Sequence, residues 1–320
     1  MHETRMTWLA ILGPLVFSGC TGIRLDSVEV TRIEAHLPEG ARVLPGGKSP
    51  LVVVATTANG ERLTTRGAGG GRVRWDSFDI EAITATVSGG GVVHIPEDPR
   101  ESDRTPPHVR ITAKGRSDLA AELDVPLRYD GSFVVDFSGS SGTSGSNGSD
   151  GAAGMSGSSG SIVFDAPQPG GNGGNGGDGS DGGSGGRGGD GSPVQVWIRL
   201  REGSPPLLQV RVLGGKHERI FLVDPMGGSL LVKSDGGAGG HGGRGGRGGS
   251  GGSGGSGTPS GSSGQNGRDG SNGSDGWSGT GGSITVHIDP AAKPFLGAIQ
   301  FSNIGGPPAV LVDEPVAPLW

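Results

Sequence analysis

The chain has 320 residues, a formal net charge of −6, 70 glycines, one cysteine and only 4% aromatic residues. So few aromatics suit small β units better than a large enzyme core, and a negative balance with no basic run argues against nucleic acid as a main partner. The single cysteine excludes an internal disulfide and any cysteine-cluster metal site.

Residues 1–20 read as an export signal. Arg5 supplies a positive start, and Trp8 to Phe17 form an apolar stretch too short to span a membrane as a stable helix. Phe17-Ser18-Gly19-Cys20 follows, with small residues ahead of the only cysteine. This segment resembles the lipobox of bacterial lipoproteins, with Phe17 where that family prefers Leu. The resemblance implies diacylation of Cys20 and a membrane partner reached through the lipid anchor. Thr21, in place of an Asp, implies the outer membrane or cell surface.

Residues 23–137 carry strand chemistry. Val28-Glu29-Val30, Leu51 to Ala55, Val73-Arg74-Trp75, Val109 to Ala113 and Leu123-Asp124-Val125 are short β-prone runs, and Asn59-Gly60 supplies a hairpin turn. Their order resembles bacterial Ig-like domains, which implies a β-sandwich. Gly46-Gly47-Lys48-Ser49 imitates the end of a phosphate-binding loop, but Arg42 stands where its first glycine is required, so a turn into a strand is expected. Glu97 to Pro107 reads as an exposed loop. Gly131 to Phe137 reads as a strand leading onward.

Four glycine arrays follow, each of eight triplets: 139–162, 170–193, 236–259 and 261–284. Together they take 96 residues and 46 of the 70 glycines, with glycine always in the first slot of the triplet. A strict period of three implies an extended left-handed helix of the polyproline-II type, roughly 75 Å long per array at ~3.1 Å per residue. A flexible linker needs no such phase. Arrays one and four are Gly-x-x, whereas arrays two and three are mostly Gly-Gly-x. Prolines are almost absent, so the arrays resemble collagen-like bacterial proteins in phase alone. The second glycine column resembles polyglycine-II helix bundles, in which backbone groups pair between helices. That resemblance implies an intrachain four-helix bundle of rhombic section. Arrays two and three would touch three neighbours each, and the second-slot glycines Gly174, Gly177, Gly240 and Gly243 would be bundle-packing residues. Arrays one and four share Gly-Ser-Asn-Gly-Ser-Asp, at 145–150 and 270–275, which suggests a duplication.

Residues 193–235 and 283–320 form a second expected β unit, a small C-terminal β-sandwich of six or seven strands with arrays three and four (236–284) inserted. Val194, Val196, Ile198 and Leu200 alternate with Gln195, Trp197, Arg199 and Arg201, as in a half-buried strand. Leu208 to Val212, Ile220 to Val223, Leu230 to Val232, Ile284 to Ile288 and Phe295 to Phe301 follow. Asp224 to Gly227 makes a turn, and the Pro-rich end 315–320 caps an edge.

The fold class expected is therefore mainly β with polyglycine-II-type triplet helices. The seven histidines show no metal-ligand spacing, and serine among glycines carries no catalytic weight without a strand-turn-helix around it. Asp150, Asp178, Asp181, Asp190 and Asp275 sit among glycines as in calcium-binding β-rolls. The period is three, however, and Ser180 occupies the slot that family fills with a large aliphatic, so these columns read as solvated. No cofactor, metal or catalytic residue is expected. The function read from the sequence is a non-catalytic surface lipoprotein acting as a rigid spacer. The alternatives are an adhesin that binds other surface molecules or cells through the connector Ile162, Val163 and Phe164, and a collagen-like homotrimer in place of the monomer.

Overall fold

The computed structural model describes residues 22–38, 40–163 and 166–320, with backbone alone at 162, 163 and 166. Cys20 and Phe164 lie outside the described residues. The molecule is mainly β, with several sheets, consistent with a β-sandwich. It divides into two compact units, Met1–Arg128 and Tyr129–Trp320.

The first unit holds three sheets of three strands. β1 (Val30–His36), β3 (Val52–Thr57) and β4 (Arg62–Thr64) form one, with β3 between the other two. The valine run of β3 is buried on both faces, which is why it lacks alternation. Asn59-Gly60 makes the expected turn between β3 and β4, with Gly60 at φ +84°. β2 (Lys48–Pro50) follows the Gly46-Gly47 turn and pairs with β7 (Val92–His94), which also pairs with β6 (Thr86–Val87). β5 (Phe78–Ile83), β8 (His108–Ala113) and β9 (Arg116–Asp124) make the third sheet.

Two segments depart from expectation here. Val73-Arg74-Trp75 forms isolated bridges at Val73 and then a 3-10 turn, Trp75–Ser77. The stretch read as a loop contains α1 (Pro99–Arg104), whose N-cap Asp98 accepts the Arg100 N–H at 2.9 Å. Asp followed by Pro at the first helical position is a sufficient start signal, outweighed in the reading by the flanking prolines.

The second unit begins earlier than the sequence boundary at 137 implied. β10 (Ser132–Asp136) pairs in parallel with β16 (Ser229–Lys233), which pairs in parallel with β18 (Ile299–Ser302). A five-stranded sheet has the order β15 (His217–Val223), β14 (Leu207–Gly214), β13 (Val194–Arg201), β17 (Ile284–Ile288) and β19 (Val310–Asp313). β13, β14 and β15 are antiparallel, whereas β13, β17 and β19 are parallel. Val194, Val196 and Ile198 are buried as their alternation demands, and they share one core with Val135, Leu230, Val232 and Ile299 of the three-stranded sheet. Phe295 falls in a 3-10 helix, Pro290–Ala298, rather than in a strand. The prolines at 290 and 294 lack the N–H that a ladder needs.

The parallel pairings follow from one repeated path. Three times the chain leaves the three-stranded sheet and returns in the five-stranded one. From β10 it runs out along array one, through a short hairpin of β11 (Ile162–Val163) and β12 (Ala166–Pro167), and back along array two into β13. From β16 it runs out along array three and back along array four into β17. From β18 it makes only the turn 303–309 before β19. The strands that leave are therefore parallel to each other, and so are those that return.

Candidate functional site: the hydrogen-bonded glycine arrays

An extended threefold chain makes no hydrogen bonds within itself, so each amide needs an outside partner. The arrays supply one another. First-slot glycines of array one donate to third-slot carbonyls of array three, from Gly142 N–H to Ala238 O (2.8 Å) through Gly157 N–H to Ser253 O (2.8 Å). First-slot glycines of array two donate to second-slot carbonyls of array four, as in Gly176 N–H to Gln265 O at 2.8 Å. Between these parallel pairs run antiparallel rungs. Gly183 N–H donates to Ser146 O, Gly243 N–H to Gly183 O and Gly273 N–H to Gly243 O, each at 2.8 Å, so a single rung crosses arrays one, two, three and four. Arrays two and three each bond to three others, and arrays one and four to two.

Register passes unbroken from sheet to array. β10 and β16 pair at an offset of 97 residues, as do the side chains of Asn147 and Ser156 with array three. β13 and β17 pair at an offset of 90, and so do Asn172, Asp178 and Asp190 with array four. The motif shared by arrays one and four does not bring them together. Those two make no hydrogen bond to each other among the described residues, because arrays two and three lie between them.

The four glycines expected to pack divide into two kinds. A Cβ on Gly240 would stand 2.0 Å from Thr143 O, and one on Gly243 would stand 1.9 Å from Ser146 O. On Gly174 and Gly177 it would come only to 3.3 Å from Met155 N and 3.2 Å from Ala152 N. The second slot of array two is thus half open, and Ser180 occupies it, accepting the Ser149 N–H at 2.7 Å. The first-slot glycines are as tightly enclosed as Gly240 and Gly243. A Cβ on Gly173 would meet Gly252 O at 2.1 Å, and one on Gly264 would meet Gly174 O at 2.0 Å.

The acidic columns are not simply solvated, as expected from sequence. Each of the eleven Asn and Asp residues in the arrays stands in a third slot and points Oδ1 at a backbone N–H of the adjacent array. Asn147 and Asp150 accept from Arg244 and Arg247 of array three. Asn172, Asn175, Asp178, Asp181 and Asp190 accept from Ser262, Gln265, Arg268, Ser271 and Thr280 of array four. Asn266, Asp269, Asn272 and Asp275 of array four accept from Gly251, Gly248, Gly245 and Gly242 of array three. Their distances lie between 2.6 and 3.0 Å. A side chain with one methylene reaches a neighbouring N–H here much as it does at a helix N-cap. The Thr280 N–H and hydroxyl hold the Asp190 carboxyl below its usual range. The signal was legible: Asn and Asp in third slots only, and none in array three.

At the base of the arrays Asp235 accepts from the Ser302 hydroxyl (2.6 Å) and the Ile304 N–H (2.8 Å). The Ser302 bond is the main cause of its lowered pKa, and Lys233 at 3.5 Å adds to it. Asp136 is lowered in the same direction, chiefly by hydrogen bonding from Ser138.

A second cluster escaped the sequence reading. Across the outer face of the five-stranded sheet, Arg211 lies 4.8 Å from the Trp197 ring centre and His287 stacks on Trp197 at 5.3 Å. His287 Nδ1 meets Glu314 Oε1 at 2.6 Å, which ties the C-terminal tail to the sheet. Alternation had already put Trp197 on that face. What it lacked was the register that brings Arg211 and His287 beside it.

The described backbone of Ile162 and Val163 forms the hairpin between arrays one and two. Met155 and Trp277 are 86% and 84% exposed, at opposite ends of the arrays. Among the described residues no group of three His, Cys, Asp or Glu is placed to hold a metal ion. Comparison with protein-family models, with curated proteins and with solved structures finds no match.

Proposed function

We propose that the four arrays form an intrachain polyglycine-II bundle of rhombic section, carried on a C-terminal β-sandwich, and that the protein is a non-catalytic lipoprotein of the bacterial surface whose bundle serves as a rigid spacer. The observation that carries this reading is the continuous rung from array one to array four, repeated along the arrays. An amide already bonded within its own chain is not free to hold the strands of a collagen trimer. Rigidity follows from the same rungs, since an array cannot bend without breaking several at once. Cys20 anchors the chain through its lipid, and the first unit is an Ig-like module next to that anchor.

Sedimentation of the chain lacking residues 1–20 tests the bundle. A monomer with a raised frictional ratio is expected. A trimer at micromolar concentration would replace this reading with the collagen one.

A further inference from the structure

The segment 299–313 is bonded as a third, shortened copy of the path that carries the arrays. Gly139 N–H, just after β10, donates to Asp235 O, just after β16; Gly236 N–H, just after β16, donates in the same way to Ile304 O, just after β18, both at 2.9 Å. The Asp235 N–H is accepted by the Ser138 hydroxyl, and the Ile304 N–H by the Asp235 carboxylate. β18 and β19 then pair with β16 and β17 as those pair with β10 and β13. A fifth array would start at Ile304 and run beside array three. In its place the chain turns at Gly305, φ +81°, and returns through Pro307 and Pro308.

Without a fifth array, the first-slot amides of array three would be orphaned above that turn. Five of the eight find other acceptors: Ile304 O takes the lowest, from Gly236, and farther out Gly242, Gly245, Gly248 and Gly251 donate to Asp275, Asn272, Asp269 and Asn266. Five donors of this column are thus covered, the lowest by the truncated copy and four farther out by side chains of array four.

From this we infer that Asn266, Asp269, Asn272 and Asp275 are edge caps. They stand in for the carbonyls of a missing fifth helix, end the bundle at four, and deny its side to a glycine-triplet helix of a second copy of this chain. The logic is that of protected edge strands, where unpaired backbone groups are covered to prevent pairing with another chain. The inference rests on the bundle reading proposed above.

The test is residue-resolved amide hydrogen exchange and native mass spectrometry on the full-length protein in detergent. In the fourfold variant Asn266→Ala, Asp269→Ala, Asn272→Ala, Asp275→Ala, the amides of Gly242, Gly245, Gly248 and Gly251 should exchange at least tenfold faster. Gly243, Gly246, Gly249 and Gly252, bonded to array two, should keep wild-type protection, and oligomers absent from the wild type should form. Asp269→Asn with Asp275→Asn keeps the acceptor oxygens and should match the wild type in both measurements. Unchanged exchange at the four glycines overturns the inference, as does faster exchange in a variant that stays monomeric, or association of the Asn pair. If the fourfold variant unfolds, Asn272→Ala carries the same two criteria, with Gly245 as its exchange probe. Failure of the underlying bundle would look different: Gly243 and its equivalents would be unprotected in the wild type itself.

Discussion

Gly243 stands in the middle of a rung, and alanine there is the sharpest test of the packing. Its N–H donates to Gly183 O and its carbonyl accepts from Gly273 N–H, while the added methyl carbon would lie 1.9 Å from Ser146 O and 2.5 Å from Ser146 C. Backbone cannot rotate out of the way as a side chain can, so arrays one and three must separate. The nearest bonds between them, Gly145 N–H to His241 O and Gly148 N–H to Arg244 O, would be stretched or lost. Two bonds at about 1 kcal/mol each and about 1–3 kcal/mol of overpacking outweigh the ~0.4–1 kcal/mol gained by restricting the unfolded chain. The expected loss is roughly 2–4 kcal/mol, or about 4–16 °C in Tm for a unit of this size. At Gly174 the same methyl needs its neighbour to yield only a few tenths of an ångström from 3.3 Å, and Ser180 shows that a side chain fits that column. Gly174→Ala should therefore stay within about 1 kcal/mol of the wild type, the restricted unfolded chain offsetting the tight contact. The assay is a thermal melt of the two single variants side by side. Equal shifts, large or small, would refute the reasoning.

Two further outcomes are expected. Cys20→Ala should leave an unprocessed precursor or a soluble periplasmic form, and membrane fractionation of a processed alanine variant would refute lipid attachment at Cys20. Asp136, Asp190 and Asp235 have folded-state pKa values below the usual carboxylate range, so their contribution is present above pH ~4 and is lost as pH falls below it, through the lowered values. Melts between pH 7 and pH 2 should show this loss, and Asp235→Ala should both lower the Tm at pH 7 and reduce the acid-induced drop. An unchanged pH profile in that variant would refute the role given to the Asp235 carboxylate.

The extended arrays and the main strands of the second unit were legible in the sequence because each depends on a local period. Glycine at every third position keeps Cβ atoms out of one column, and alternation from Val194 to Leu200 marks a half-buried strand, whatever lies opposite. The split between Gly174 and Gly243 was not legible, since both stand in the second slot of a Gly-Gly-x triplet. It depends on whether that slot faces a groove beside array one or the carbonyl column of array one itself. The Asn and Asp columns show the same boundary. Their third-slot spacing is written in the chain, yet whether an exposed side-chain oxygen meets water or an N–H is set by a neighbour 15 to 97 residues away. The offsets of 97 and 90 continue the pairing of β10 with β16 and of β13 with β17, whereas those between arrays three and four shrink from 33 to 15 toward the turn that joins these antiparallel arrays. A period can be read along one chain; the partner of a hydrogen bond between arrays exists only once the sheets have aligned them.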